Sequence, residues 1–249
     1  MFNRLDQREN GFYITSKQAF VSNCVLTNDD ILDSFKFAYD MTFGERGEHR
    51  NHRSGGLTRR KNGEIFIDTF QGKLAEFAFY NYFINRNAYI SKPDMSTMGL
   101  MKWDGCDFDL NGKQIAVKST KYFGNLLLLE TKDWDNQGLY RPNYGTSHEA
   151  YDYFVLIRVR PDGTGIMKQH RWLFSNKVLY DELRNAIFAE QWKCNIAGYI
   201  SRNELVSIIS DEYILPQNVM LNGSTKMDAE NYYVQVGDMH NISELIHCI

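Results

Sequence analysis

Between two runs of alternating apolar and polar residues, CDFDL and KQIAVKS, the chain carries the dipeptide Asn111-Gly112. A two-residue type I′ turn needs positive φ at both central positions, and Asn-Gly meets that demand with little strain. Such a turn also sets the register of the strands it joins. Leu110 should lie opposite Lys113, Asp109 opposite Gln114, Phe108 opposite Ile115, and Asp107 opposite Ala116. Because side chains alternate across a strand, Cys106, Phe108, Leu110, Ile115 and Val117 share an apolar face. Asp107, Asp109, Gln114, Ala116 and Lys118 fall on the other face, where chemistry is expected.

The flanking sequence supplies partners for this hairpin. Residues 28–43 open with helix-capping residues and repeat Ile31, Phe35, Ala38 and Met41 at near-helical spacing, with Gly44 as the stop. Asp68 followed by Gln71 resembles a capping pair, and TFQGKLAEFAFYNYFINR continues as a largely apolar helix over 69–86. NLLLLET and YFVLIRVR read as further strands of one central sheet. SNKVLYDELRNAIFAEQW reads as a helix, Ser201 with Glu204 as a capping box, and NYYVQV as a late strand. The last 55 or so residues give weak signals. The expected fold class is α/β, a mixed central sheet flanked by helices, in one domain of 249 residues.

Composition narrows the function classes. With 43% hydrophobic residues, 15 Tyr, 16 Phe and only 4 Pro, the chain has the make-up of a packed globular protein. Cys24, Cys106, Cys194 and Cys248 form no Cys-x-x-Cys pair, so neither a zinc knuckle nor a compact disulfide framework is expected, and a reducing, cytoplasmic setting fits. No apolar run approaches the roughly 20 residues that span a bilayer, and MFNRLDQREN is too polar for a secretory leader. A net charge of −3 gives no global attraction to nucleic acid. A local attraction is nevertheless expected from ERGEHRNHRSGGLTRRKNG, which gathers Arg46, Arg50, Arg53, Arg59, Arg60 and Lys61 around a Gly-Gly. His49 and His52 in the same stretch have no nearby Cys or His pair to complete a metal site.

The functional reading centres on the hairpin. A carboxylate at 107 and one at 116 would stand about 5 Å apart at Cβ, close enough to hold a hard divalent cation, and Lys118 points to the same side. Glu76 lies among Leu74, Ala75, Phe77, Ala78 and Phe79, where an unpaired charge is costly, so a cation or basic partner is expected for it. Asp107, the hairpin, Lys118 and the upstream helical Glu76 together resemble the PD-(D/E)XK nuclease superfamily, to which most type II restriction endonucleases belong. The resemblance covers residues 68–131, about a quarter of the chain.

The resemblance implies a restriction-endonuclease-like fold with a core of about 68–160, preceded by the helix and basic loop of 28–61. It implies Mg²⁺, with Mn²⁺ as a substitute, held by Asp107 and Glu76 as metal ligands. Lys118 would orient the attacking water and offset charge on the transition state. Residues 161–249 exceed what such a core needs and are available for target recognition or dimerisation. The implied function is Mg²⁺-dependent cleavage of double-stranded DNA, in restriction or phage defence, by a homodimer. A repair or recombination nuclease and a non-cutting nucleic-acid-binding module on the same fold are the alternatives.

Ala116 departs from the family pattern, which has Asp or Glu two residues before the lysine. Three explanations present themselves: an inactivating replacement, a ligand supplied from elsewhere such as Glu130 on the next strand, or a nuclease fold that binds without cutting. The first is the favoured expectation, because Ala is a poor strand former on a face read as polar. Asp104, Asp109 and Gln114 rank as lesser ligands, and Trp134, Tyr140, Arg141, Tyr144 and His148 as phosphate or base contacts.

Overall fold

The structure is a computed structural model, described here for residues 2–44, 60–96, 106–146 and 149–248. In chain order it begins with β1 (Asp6–Arg8), β2 (Gly11–Tyr13), α1 (Asn28–Thr42) and α2 (Asn62–Ile84). The middle holds β3 (Phe108–Leu110), β4 (Lys113–Lys121), β5 (Leu126–Glu130), β6 (Tyr153–Arg160), α3 (Gly163–Gln169) and α4 (Tyr180–Phe188). The remainder contains β7 (Lys193–Ser201), α5 (Arg202–Ser210), β8 (Ile214–Leu215), β9 (Met220–Leu221), β10 (Thr225–Lys226), β11 (Asn231–Gln235) and α6 (Ile242–Cys248). The fold is mixed α/β.

Its centre is a four-stranded sheet ordered β3-β4-β6-β7, in which β4 and β6 run parallel and the other neighbours antiparallel. The hairpin has the expected register, with Phe108, Asp109 and Leu110 opposite Ile115, Gln114 and Lys113. Asn111 and Gly112 have φ of 53° and 78°, the two positive angles a type I′ turn requires.

Both faces of the sheet are covered, and strand alternation sorts side chains between two cores. Phe108, Ile115, Val155, Ile157 and Val159 join Phe35 of α1 and Phe66, Phe70, Leu74 and Phe79 of α2 in the first. Ala116, Phe154, Leu156, Ala197 and Ile200 face the second, with Leu127 and Leu129 of β5, Tyr233 and Val234 of β11, and Leu205 of α5. The covering layer there is a separate sheet, β5-β11-β8. NLLLLET therefore leaves the central sheet to roof it, and the sheet has helices on one face and a second sheet on the other. Four consecutive leucines suit that position, since Leu126, Leu127 and Leu129 are buried.

Two further elements differ from expectation. Helix α2 starts at Asn62, seven residues before the reading that used Asp68 as a cap; the Lys61 N–H donates to Glu64 Oε2 at 2.9 Å and Gly63 N–H to Ser175 O at 3.0 Å. Ile65, Phe66, Ile67 and Phe70 then extend its buried face, and Asp68 and Gln71 become interior helical residues. Strand β7, KCNIAGYIS, was absent from the sequence reading, and the predicted helix before it contracts to Tyr180–Phe188.

Residues 16–25 cross β6 and β7 without forming a regular element, apart from an isolated bridge at Cys24. The fully buried Arg158 holds this strap: its guanidinium donates to Gln18 O at 2.7 Å, Ala19 O at 2.8 Å and Asn195 Oδ1 at 2.8 Å. No helix among the described residues is long and apolar enough to cross a membrane.

Candidate active site at the open edge of strand β4

Strand β3 pairs only with residues 113–115, whereas β6 pairs with β4 as far as Lys121. Beyond Ile115, therefore, one edge of β4 has no strand neighbour among the described residues. Asp107 occupies the first step of that edge, where its Oδ2 accepts a 2.6 Å hydrogen bond from Val117 N–H. Past it opens a cleft of about 850 Å³, lined by Val117 to Lys121 of β4, by Arg60, Asp68 and Gln71 around α2, and by Leu126, Leu128 and Glu130 of β5. Thr164 and Thr225 also line it.

Helix and strand periodicity explain this gathering. Asp68 and Gln71 lie three residues apart on one face of α2. Gly163 lets α3 pack closely beside them, since a Cβ there would lie 2.5 Å from Ile67 Cδ1 and 2.9 Å from Gln71 Oε1. On β5, Leu126, Leu128 and Glu130 follow at intervals of two and so reach the same side.

The charges of the cleft are partly paired. Arg60 Nη1 stands 3.1 Å from Asp68 Oδ2 and Lys121 Nζ 3.2 Å from Asp162 Oδ1, while Lys118 has no ion-pair partner among the described residues. Glu130 is the unusual member. Its Oε2 is buried and accepts no hydrogen bond, and Lys132 Nζ approaches only to 3.5 Å. Burial pushes its carboxyl above the ordinary value, an effect that Lys132 opposes and Asp133 and Asp228 reinforce.

The four residues singled out on the hairpin and helix are not all brought together. Lys118 lines the cleft, and Asp107 sits beside it, holding the backbone of a lining residue. Glu76 is absent from the lining. The partner its apolar neighbourhood demanded is Lys73, whose Nζ is 2.7 Å from Glu76 Oε2 and also donates to Asp94 O at 2.8 Å. Ala116 is 1% exposed within the second apolar core, beside Phe154 of β6. The face read as polar is thus polar only at its ends, and packing accounts for Ala116 without a removed carboxylate. Asp109 caps the turn by accepting from Gly112 N–H at 2.9 Å, and Gln114 N–H donates to Asp152 Oδ2 at 2.9 Å.

Of the basic residues, Arg60 and Lys61 are described: Arg60 lines the cleft and Lys61 is exposed at the N-cap of α2. Arg46, Arg50, Arg53 and Arg59, like His49, His52, Asp104 and His148, lie outside the described residues. Trp134 is buried in the second core and packs at a tilt against Tyr140, which leaves it almost no surface to present to nucleic acid. Arg141 Nε is bound to Trp134 O at 3.0 Å, and Tyr144 donates to Asp135 Oδ2 at 2.8 Å. The sequence reads Asp68 and Gln71 as a capping pair and so gives them no site role; with the helix starting at Asn62 both lie on the face that also carries Leu74 and Ala75.

No protein-family model, curated protein or solved structure matches this chain.

Proposed function

We propose that the chain is a metal-dependent nuclease of the PD-(D/E)XK type, with its reaction centre in the cleft at the edge of β4. The observation that carries this reading is the meeting, in one cleft, of Lys118 with a buried, under-bonded carboxylate, Glu130. Glu130 takes the part of the acid that the family places two residues before the lysine and that the apolar surroundings of Ala116 exclude.

The donor chemistry fits a hard cation. A buried carboxylate oxygen whose nearest donor, Lys132 Nζ, stands back at 3.5 Å has room for a divalent ion, and Glu130, with Asp68 on another wall, offers the oxygen ligands Mg²⁺ prefers. Among the described residues no three His, Cys, Asp or Glu side chains cluster as a metal site. One or two carboxylates suffice, however, when phosphate and water complete the shell. Bound there, Mg²⁺ or Mn²⁺ supplies Lewis-acid polarisation of the scissile phosphate. The chain's own groups do the rest. Lys118 places a compact positive charge beside the phosphate and orients the attacking water, and Arg60, held by Asp68, adds a second cation for the backbone. Double-stranded DNA is the proposed substrate, with a defence role following from the resemblance.

The test is cleavage of plasmid DNA and of labelled single- and double-stranded oligonucleotides with Mg²⁺, Mn²⁺ or EDTA, for the native chain, Lys118→Ala and Glu130→Gln. Metal-dependent cleavage should fall at least about 100-fold in either variant, the loss typical of removing one transition-state contact. Cleavage that both variants retain would remove the cleft from the mechanism. Binding without cleavage of any substrate would favour the non-cutting module.

A further inference from the structure

The fold brings two thiols together that are far apart in sequence. Cys24, in the strap before α1, faces Cys194 of β7 in an isolated antiparallel bridge, and both are free. The neighbouring contacts fix this alignment. Ser22 Oγ donates to Cys194 O at 3.0 Å, Asn23 Nδ2 donates to Ile196 O at 3.0 Å, and Ile196 N–H donates back to Asn23 Oδ1 at 2.8 Å. Directly opposed residues of antiparallel strands have Cα separations of about 4.5 or 5.5 Å. Both distances fall inside the range of about 4.4–6.8 Å over which a disulfide closes without moving the backbone. The two thiols are also within hydrogen-bonding reach of one another.

We propose that Cys24 and Cys194 are a modification site, a dithiol that a small disulfide oxidant such as oxidised glutathione converts reversibly to a cystine. The two sulfurs divide the work by exposure. Cys194 is fully buried, whereas Cys24 is half-buried between Val21 and Val25, which are 66% and 64% exposed, so the oxidant meets Cys24 first. The Cys24 thiolate attacks one sulfur of oxidised glutathione, and one glutathione thiolate leaves. Cys194 then gives its proton to solvent and attacks the Cys24 sulfur, expelling the second glutathione. Two S–H bonds are lost and one S–S bond is gained, while the oxidant is reduced to two thiols. Cys106 does not compete, because it packs against the second core while Cys194 belongs to the first. The product welds the strap that covers Arg158 to β7 and ties the entrance of α1 to the central sheet.

The experiment uses the full chain with Cys106 and Cys248 replaced by Ser, incubated folded with oxidised glutathione and then alkylated. Intact mass should show the loss of two hydrogens, and peptide mapping should recover one linked peptide joining Cys24 to Cys194. The apparent Tm should rise by about 5–10 °C on oxidation and return with dithiothreitol. Cys24→Ser should abolish both the link and the rise. A glutathione adduct that persists on Cys24 with no linked peptide would overturn the proposal. So would linkage that forms only after the chain is unfolded, since the alignment across β7 would then have contributed nothing.

Discussion

Asp107 Oδ2 and the backbone N–H of Val117 lie 2.6 Å apart, so a side chain continues the ladder where β3 stops pairing with β4. A charged acceptor on an otherwise unpaired edge amide contributes about 1.5–3 kcal/mol, which Asp107→Ala should lose in urea unfolding. Asp107→Asn keeps a neutral acceptor of the same shape and should recover most of that loss. Because Asp107 stands beside the cleft instead of lining it, the Asn variant should also keep most of the metal-dependent cleavage proposed for the chain. A stable but inert Asp107→Asn protein would return this residue to the metal-ligand role that the resemblance assigns it.

Glu130 makes stability depend on pH in the direction opposite to a carboxylate whose pKa is lowered, because burial outweighs its ion pair with Lys132. Burial raises its folded-state pKa, so folding favours the protonated form. Its contribution is fully present below the ordinary glutamate value of about 4.3 and is lost as pH rises through the elevated folded value. Glu130→Gln should therefore be more stable than the native chain at pH 7, with the advantage shrinking as pH falls towards that ordinary value. Urea titrations at several pH values measure it. An unchanged difference across the range would show that Glu130 titrates alike in both states.

The hairpin was legible because its determinants are local: Asn111-Gly112 dictates the turn, and the turn dictates the register. The burial of Ala116 was not legible, because the opposite face of the hairpin reads as polar. Nothing within CDFDLNGKQIAVKS says that β5 and β11, which pair with each other at Leu127 and Val234, will form a second sheet over it. Glu130 was nameable as a substitute acid, but its arrival in the cleft that Lys118 lines depends on that same distant pairing. Strand β7 was missed because CNIAGYI is hydrophobic almost throughout, and such a run reads equally as a buried helix or a strand buried on both faces. Glu76 taught the converse lesson. Its expected positive partner is present in Lys73, one helical turn earlier.

Arg158 tests what holds the strap. Its guanidinium is fully buried, its bonds go to two carbonyls of the strap and to Asn195, and burial lowers its pKa. Arg158→Ala leaves those acceptors without donors inside the fold, and each buried acceptor left unsatisfied costs about 1–3 kcal/mol. Arg158→Lys should recover little, because a single ammonium cannot serve acceptors arranged around a planar fork. Equal stability of the Lys variant and the native chain in urea would show that charge alone anchors residues 18 and 19.

Ala116 now supports an expectation contrary to a vacated ligand position. The side chain is 1% exposed and its core consists of Leu127, Phe154, Leu156, Ala197 and their neighbours. Ala116→Asp introduces a carboxylate where apolar groups surround it, and an unpaired buried charge costs at least about 3 kcal/mol or forces the acid to remain protonated. Because that acid's folded pKa would be raised, the penalty should be smallest at low pH and grow as pH rises through the elevated value. Urea unfolding of Ala116→Asp at low and neutral pH measures both the size and the sign. Cleavage in Mg²⁺ should not rise, since the cleft that Lys118 lines already holds the carboxylate of Glu130. Ala116→Ser separates volume from charge: it adds one small hydroxyl and should cost far less, with little dependence on pH. If Ala116→Asp were instead as stable as the native chain and cut DNA faster, the carboxylate would have found a cation, and the proposed reaction centre would move from Glu130 to the Asp107–116 pair.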